Sequence, residues 1–416
     1  MDRPTRRRFL LASGVVGGGA LAAGVGGISL VRLLGTGGER PATRRVDTVV
    51  LVTLYGGNDG LNTVVPYADP AYHSARPELA YPPERVLALD DRHGLHPALT
   101  GLKGLWDDGR LAIVHGVGYP RPDRSHFRSM DIWQSGTPDA PADTGWVGRW
   151  LDSTRAPVEA AVSFEPVLPP LLVGRTRVGA CVSYQGLELP DWVAPTMIAA
   201  LGRVQPGEPD AQARAAAAYA DLVEMGRLVR EAADPVASPT AAAEGTVPAT
   251  GTGGGGALAA QLALVARCVE AGVPTRVYSV SLGGFDTHAG ELAAHEVLLG
   301  QLDAAVAGFV TRMAGSAAGQ RVAVVVYSEF GRRVRANASD GTDHGTAGPV
   351  LVAGARVAGG FHGAPPSLTD LDGGDLKATT DFRDVFGAVL ASVLDADPEQ
   401  HLDGYRGRPL PLFRRD

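Results

Sequence analysis

Five short runs of apolar, mostly β-branched residues constrain the fold of this 416-residue chain more than anything else in it. They are "DTVVLVTL" (47–54), "GRLAIVHGVG" (109–118), "TRVYSVSL" (275–282), "QRVAVVVY" (320–327) and "GPVLVAGARV" (348–357). Runs this short and this continuously apolar suit strands covered on both faces, the mark of a parallel sheet. Between them the apolar spacing turns helical, over 96–109, 257–272, 291–315 and 381–395, with Asp381 placed to cap the last. Alternating strand and helix predicts an α/β, doubly wound, mostly parallel sheet flanked by helices. One elaborated domain over 47–416 is expected. It would carry a helix at 209–232 and then a low-complexity flexible loop at 233–256, "ADPVASPTAAAEGTVPATGTGGGG".

The start of the chain reads differently. "PTRRRFLLASGVVGGGALAAGVGGISLVRLL" sets arginines before a long apolar stretch without an acid, which is the layout of an export signal. The arginine pair points to the twin-arginine route, so residues 1–35 are expected to be that signal and 36–46 a linker. The twin-arginine translocase is then a partner, and the mature domain belongs in the periplasm, outside the cell or on the cell envelope. The same stretch is long enough to span a bilayer, since about 20 apolar residues suffice, so membrane contact is expected through this segment alone. A net charge of -7 with no basic stripe beyond the signal excludes a nucleic-acid partner. Cys181 and Cys268 supply no disulfide framework and read as free thiols.

The turns at the ends of these strands matter most, because ligands of open α/β sheets sit at the carboxyl ends of the strands. The first run leads into "YGGNDGLNT" (55–63), the second into "GYPRPDRSHF" (118–127), the third into "GGFDTH" (283–288) and the fourth into "SEFGRR" (328–333). "GTDHG" (341–345) stands just before the fifth. Asp59, Ser125, His126, Asp286, His288, Glu329 and His344 can therefore meet on one edge. Carboxylates and imidazoles together suit a divalent metal such as zinc, manganese or calcium. A metal beside a hydroxyl, with arginine nearby, suits hydrolysis or transfer of an anionic ester. Each piece also has a plain structural use. "GGNDG" makes a turn, "FDTH" an Asx turn, Ser125 an N-cap, "TDHG" a surface turn, and Glu329 an ion pair with Arg332 or Arg333. The shared position after successive strands is what independent turns do not require.

"GGNDGLNTVVPY", "SHFRSMDIWQSG", "GGFDTH", "VVVYSEFGRRVRANASDGTDHGTAG" and "LKATTDFRDVFGAVL" resemble the exported bacterial family called domain of unknown function 1501. The resemblance runs from about Thr48 to near the C-terminus. That family is considered similar to the alkaline phosphatase and sulfatase superfamily, which implies an alkaline-phosphatase-like α/β core with two metal sites and a hydroxyl or modified-cysteine nucleophile. Carried over by motif, Asp59, Asp286, His288, Glu329 and His344 are the implied metal ligands. Ser125 stands where a nucleophile would, and Arg332 or His126 would contact the anion. The chain departs from the superfamily at Glu329-Phe330, where an Asp-His pair is usual, and in setting Asp286 and His288 two apart instead of four. It has no Cys-x-Pro-x-Arg motif. The implied function is metal-dependent hydrolysis of a phosphate or sulfate ester, on a small molecule or an envelope glycan. The alternatives are a non-catalytic envelope-binding protein that keeps the fold with a degraded metal site, and a domain in which metal serves stability only.

Overall fold

The structure, a computed structural model, describes residues 47–182 and 257–414. The expected signal, the linker, the helix at 209–232 and the loop at 233–256 lie outside the described residues.

All five apolar runs are strands of one nine-stranded sheet. In chain order its strands are β1 (Thr48–Leu54), β2 (Leu111–Gly118), β3 (Ala161–Ser163), β4 (Ala180–Cys181), β5 (Val277–Leu282), β6 (Val322–Ser328), β7 (Gly348–Gly354), β8 (Gly360–His362) and β9 (Thr380–Asp381). Across the sheet the order is β8-β2-β7-β6-β1-β5-β3-β4, with β9 also paired to β2. The pairing is parallel except around β7, which runs antiparallel to both β2 and β6. Successive side chains of a strand face opposite ways. In β1, Val50, Val52 and Leu54 enter one apolar layer while Val49 and Leu51 enter the other. That is why the run is apolar throughout instead of alternating.

The helices among the described residues are α1 (Gly60–Thr63), α2 (Pro70–Ala75), α3 (Thr100–Asp107), α4 (His126–Ser135), α5 (Trp146–Thr154), α6 (Ala257–Glu270), α7 (Glu291–Ala314), α8 (Phe382–Ser392) and α9 (Pro398–His401). One layer sets Leu102 of α3, Leu262 of α6 and Leu299, Leu302 and Val306 of α7 on the sheet. The opposite layer is aromatic, with Trp133 of α4, Trp146 and Trp150 of α5 and Phe382 and Phe386 of α8. Each of these side chains contributes about 1.5–3 kcal/mol on leaving water. Asp381 caps α8 as expected, its Oδ1 accepting from the Arg383 N–H at 2.9 Å. The expected helix over 96–109 is shorter, because its N-cap position is Leu99, which has no capping side chain. Asp303 of α7 supplies the cap from outside, accepting from the N–H groups of Gly101 (2.8 Å) and Leu102 (2.7 Å). Cys181 and Cys268 are both free, and burial pushes each thiol up to about 12.

Register positions the site. Leu54 at the end of β1 pairs with Leu282 at the end of β5 and with Ser328 at the end of β6, so three chains leave the sheet side by side. β7 runs the other way, so the segment before it, not after it, lies on that same edge. Leu299 is fully enclosed between α7 and the sheet. Leu299→Ala is expected to lower unfolding free energy by about 2–5 kcal/mol at unchanged m-value in urea titration.

Candidate metal centre

The loops at this edge close on one another because their glycines admit no side chain. Gly56 has φ +117°, and a Cβ on it would lie 2.4 Å from the Asp286 nitrogen. Gly57 has φ +73°, and a Cβ there would strike the Phe330 ring. The segment 331–333 folds back on 343–346, through a Gly331 N–H bond to the Thr346 carbonyl (2.8 Å) and an Arg333 N–H bond to the Asp343 carbonyl (3.0 Å). This turn carries His344 over Asp286.

Four side chains meet there. Oδ1 of Asp286 lies 3.1 Å from Nε2 of His344, 3.1 Å from Nε2 of His288 and 3.4 Å from Nε2 of His126. The two Nε2 atoms of His288 and His344 are 2.9 Å apart. Each ring is held from behind at Nδ1: His126 by Glu329 Oε1 (2.7 Å), His344 by the Arg124 carbonyl (2.9 Å) and His288 by Asp343 Oδ1 (3.3 Å). A carbonyl can only accept, so the His344 proton is on Nδ1, and the ring, when neutral, turns a lone pair toward Asp286. Acceptors behind Nδ1 and lone pairs ahead at Nε2 are how proteins present histidines to a metal. Nε2 of His126 is buried, and its one polar approach is the long 3.4 Å contact to Asp286. A tetrahedral ion with bonds of about 2 Å separates its donors by about 3.3 Å, so the residues present fit a divalent metal. Among the described residues, His126, Asp286 and His344 also form the group whose ligand atoms all lie within 4.8 Å of one another.

The electrostatics call for positive charge. Burial would lower His126, but its hydrogen bonds to Asp286 and Glu329 and their charges raise it to about 9. Burial would raise Asp286, and His126, His344 and Arg332 instead hold it far below the usual carboxylate range. A proton or a metal ion answers the same demand, so a metal binding here would displace a proton, and its binding would weaken as pH falls.

The expected site residues divide accordingly. Asp286, His288 and His344 come together, and His126, expected as a catalytic group, stands among the ligand atoms. Glu329 is set behind His126, and its carboxylate also accepts from the Gly56 N–H (2.9 Å) and the Ser328 hydroxyl (2.9 Å). It pairs with neither Arg332 nor Arg333. Ser125 is the N-cap residue of α4 but its side chain makes no capping bond; it is exposed next to His126. Arg332, expected to meet an anion, is fully buried and its donors are spent. They reach the carbonyls of Gly57 (2.7 Å), Thr342 (2.9 Å), Gly56 (2.5 Å) and Phe285 (2.9 Å), and Asp286 Oδ1 (2.7 Å).

Asp59 does not join this group. It is enclosed at the N-terminus of α1, where the forked guanidinium of Arg76 grips both its oxygens. The neighbouring polar residues gave no sequence signal: Glu291 opens α7, and His295, one turn on, reads as an ordinary core histidine. Nε2 of His295 meets Asn58 Oδ1 at 2.9 Å, and burial lowers the ring to about 4. Burial and the charge of Asp59 raise the Glu291 carboxyl to about 9. Glu291 Oε2 accepts from the Thr342 hydroxyl (2.6 Å), while Oε1 is buried without a partner until it carries a proton to donate to Asp59.

The chain belongs to the family described as "Protein of unknown function (DUF1501)", whose model matches residues 46–416. No curated protein matches it. Solved structures to which it is similar include an alkaline phosphatase, PafA, carrying four substitutions, at 12% identity and TM-score 0.32. That match covers 70% of this chain and 64% of the phosphatase chain, so this chain spans less than two thirds of it. BT1596, a 2-O GAG sulfatase, matches at 9% identity and TM-score 0.32, over 86% of this chain and 69% of the sulfatase. Likeness at such identities does not carry chemistry from one chain to another.

The protonated Glu291 makes stability depend on pH. A carboxyl raised from 4.5 to about 9 in the folded state stabilises fully below its unfolded pKa, and that contribution is lost as pH rises toward 9. Glu291→Gln, which keeps a neutral group there, is expected to flatten the fall in Tm between pH 5 and pH 9 by about half or more, read by thermal melts at fixed ionic strength.

Proposed function

We propose that this protein is a metal-dependent hydrolase of phosphate or sulfate esters, with one divalent ion held by His126, Asp286, His288 and His344 and with Ser125 as nucleophile. One observation carries the reading: three imidazoles, each tied back at Nδ1, aim Nε2 at the same carboxylate oxygen. The proton that His126 holds between Asp286 and Glu329 marks where positive charge is wanted, and a divalent ion bound by the same nitrogens would displace it. When bound, the metal supplies Lewis acidity toward an oxygen of the ester anion.

The chain's own residues do the rest. Glu329, Asp343 and the Arg124 carbonyl fix the three rings. Arg332 holds Oδ1 of Asp286 from the inside, and the Asp286 side chain stays half-exposed at the mouth. The Ser125 hydroxyl, unspent on capping, stands at the N-terminus of α4, where the helix dipole favours the developing alkoxide. Its oxygen bonds to phosphorus or sulfur as its proton passes to solvent, the bond to the ester oxygen breaks and the alcohol leaves with a proton from water, and a water molecule then cleaves the serine ester to release the anion. A cleft of about 830 Å³ adjoins the centre, lined by Arg121, Arg124, Phe330, Asp375 and Lys377 among others. Arg124 and Phe330 belong to both cleft and centre, so the cleft is where the alcohol portion of the ester lodges. Its size is within the range of small-molecule sites, and its mixed charge suits a polar group such as a sugar of the cell envelope. Export by the twin-arginine translocase, which carries folded proteins, agrees with a metal acquired before transport.

One observation favours the alternative of a non-catalytic binding protein. Phe330 packs its ring against both His126 and His344, with centroids 4.9 Å from each, and covers that side of the centre. Elemental analysis decides between them. About one tightly held divalent ion per chain is expected, lost in His344→Ala with the fold retained. A protein that takes up no zinc, manganese or calcium overturns the reading. Ser125→Ala is expected to keep the ion and lose at least about 100-fold in kcat on whichever aryl phosphate or aryl sulfate the wild type turns over. Unchanged kcat in that variant removes Ser125 from the mechanism.

A further inference from the structure

The surroundings of Arg76 are those of a cation site. Its guanidinium is fully buried and meets oxygen alone: both oxygens of Asp59, Asn62 Oδ1 (3.2 Å), the Val334 carbonyl (2.8 Å) and the Arg333 carbonyl (2.7 Å). These acceptors come from separate segments of the chain, as ligands of a hard cation do. A second carboxyl, Glu291, lies against Asp59 and finds no partner for its buried Oε1 other than Asp59 itself, and Nδ1 of the enclosed His295 beside them is unpartnered. One guanidinium balances one carboxylate, whereas a divalent ion would balance two.

We infer that the Asp59 pocket is a divalent-cation site in which the Arg76 guanidinium stands permanently in place of the ion. Asp59 and Glu291 keep the composition of a ligand pair, and Arg76, entering from the C-terminal end of α2, makes the charge covalent to the chain. An all-oxygen cage favours calcium or magnesium over the ions that imidazoles prefer. The inference does not depend on catalysis, nor on the other centre being loaded.

The test uses the full chain with His344→Ala as background, so that the imidazole centre does not contribute, and calcium alone as the probe. Without calcium, Arg76→Ala is expected to melt below its parent. With calcium it should take up one ion per chain by equilibrium dialysis, recover several degrees of Tm and release about one proton as Glu291 ionises. The parent and Arg76→Lys, which keep a positive charge in the pocket, should take up none. Arg76→Met combined with Asp59→Asn removes both charges and should fold without responding to calcium. An Arg76→Ala chain that binds no calcium, or that stays unfolded with calcium present, overturns the inference. So does a parent that already binds calcium and loses it on Asp59→Asn.

Discussion

The buried guanidinium of Arg332 is the interaction on which the edge that carries the imidazole cluster depends. Backbone bonds join the loops after β1, β5 and β6 and the turn before β7 only two at a time, as between 331–333 and 343–346 or between Tyr55 and Phe285. Arg332 ties all four, through carbonyls of Gly56, Gly57, Phe285 and Thr342, and spends its last contact on Asp286. A buried charge that loses its partners costs several kcal/mol, so the loops cannot drift from it cheaply. The geometry of the imidazole cluster is therefore set from beneath, by a residue that never meets solvent. Arg76 does the same for α1, α2 and the 333–334 segment.

The strands were readable in the sequence because two-sided burial leaves no room for polar residues, and the five runs mark β1, β2, β5, β6 and β7 to within a few residues. The gathering of Asp286, His288 and His344 was readable for a related reason: register places strand ends together, and residues just past them inherit that placement. The antiparallel direction of β7 does not spoil this, since "GTDHG" precedes its strand. What was not readable is burial within loops. Arg332 and Arg333 look alike in "GRR", yet one is enclosed and the other half-exposed, because the turn at 331–333 sends successive side chains to opposite sides. Asp59 looked like a ligand because its partner, Arg76, is 17 residues away at the end of a helix. Glu329 and His126 exchange the parts that motif position suggests. The carboxylate comes from inside the sheet and reaches only the back of the ring, while the ring at the tip of α4 reaches the opening.

The polar residues at this edge fall into two groups with different solutions to the same problem. Around Asp286, negative charge gathers where solvent can enter, and exchangeable positive charge, a proton or an ion, satisfies it. Around Asp59, negative charge lies where nothing can enter, and the chain carries its own counter-charge. Exposure separates the two: the Asp286 side chain is 49% accessible and that of Asp59 not at all. Exchange belongs to the first group, and rigidity to the second.

At the other edge of the sheet, Asp47, just before β1, takes an ion pair from Arg356 (2.9 Å), whose carbonyl accepts from the Arg414 N–H (2.8 Å). The first and last described residues thus leave the domain on one side, and the imidazole cluster opens on the other, about 23 Å away along the seven residues of β1. A contact made at Asp47, Arg356 or Arg414 is therefore made on the side away from the cluster. A copy held by that edge presents its mouth outward.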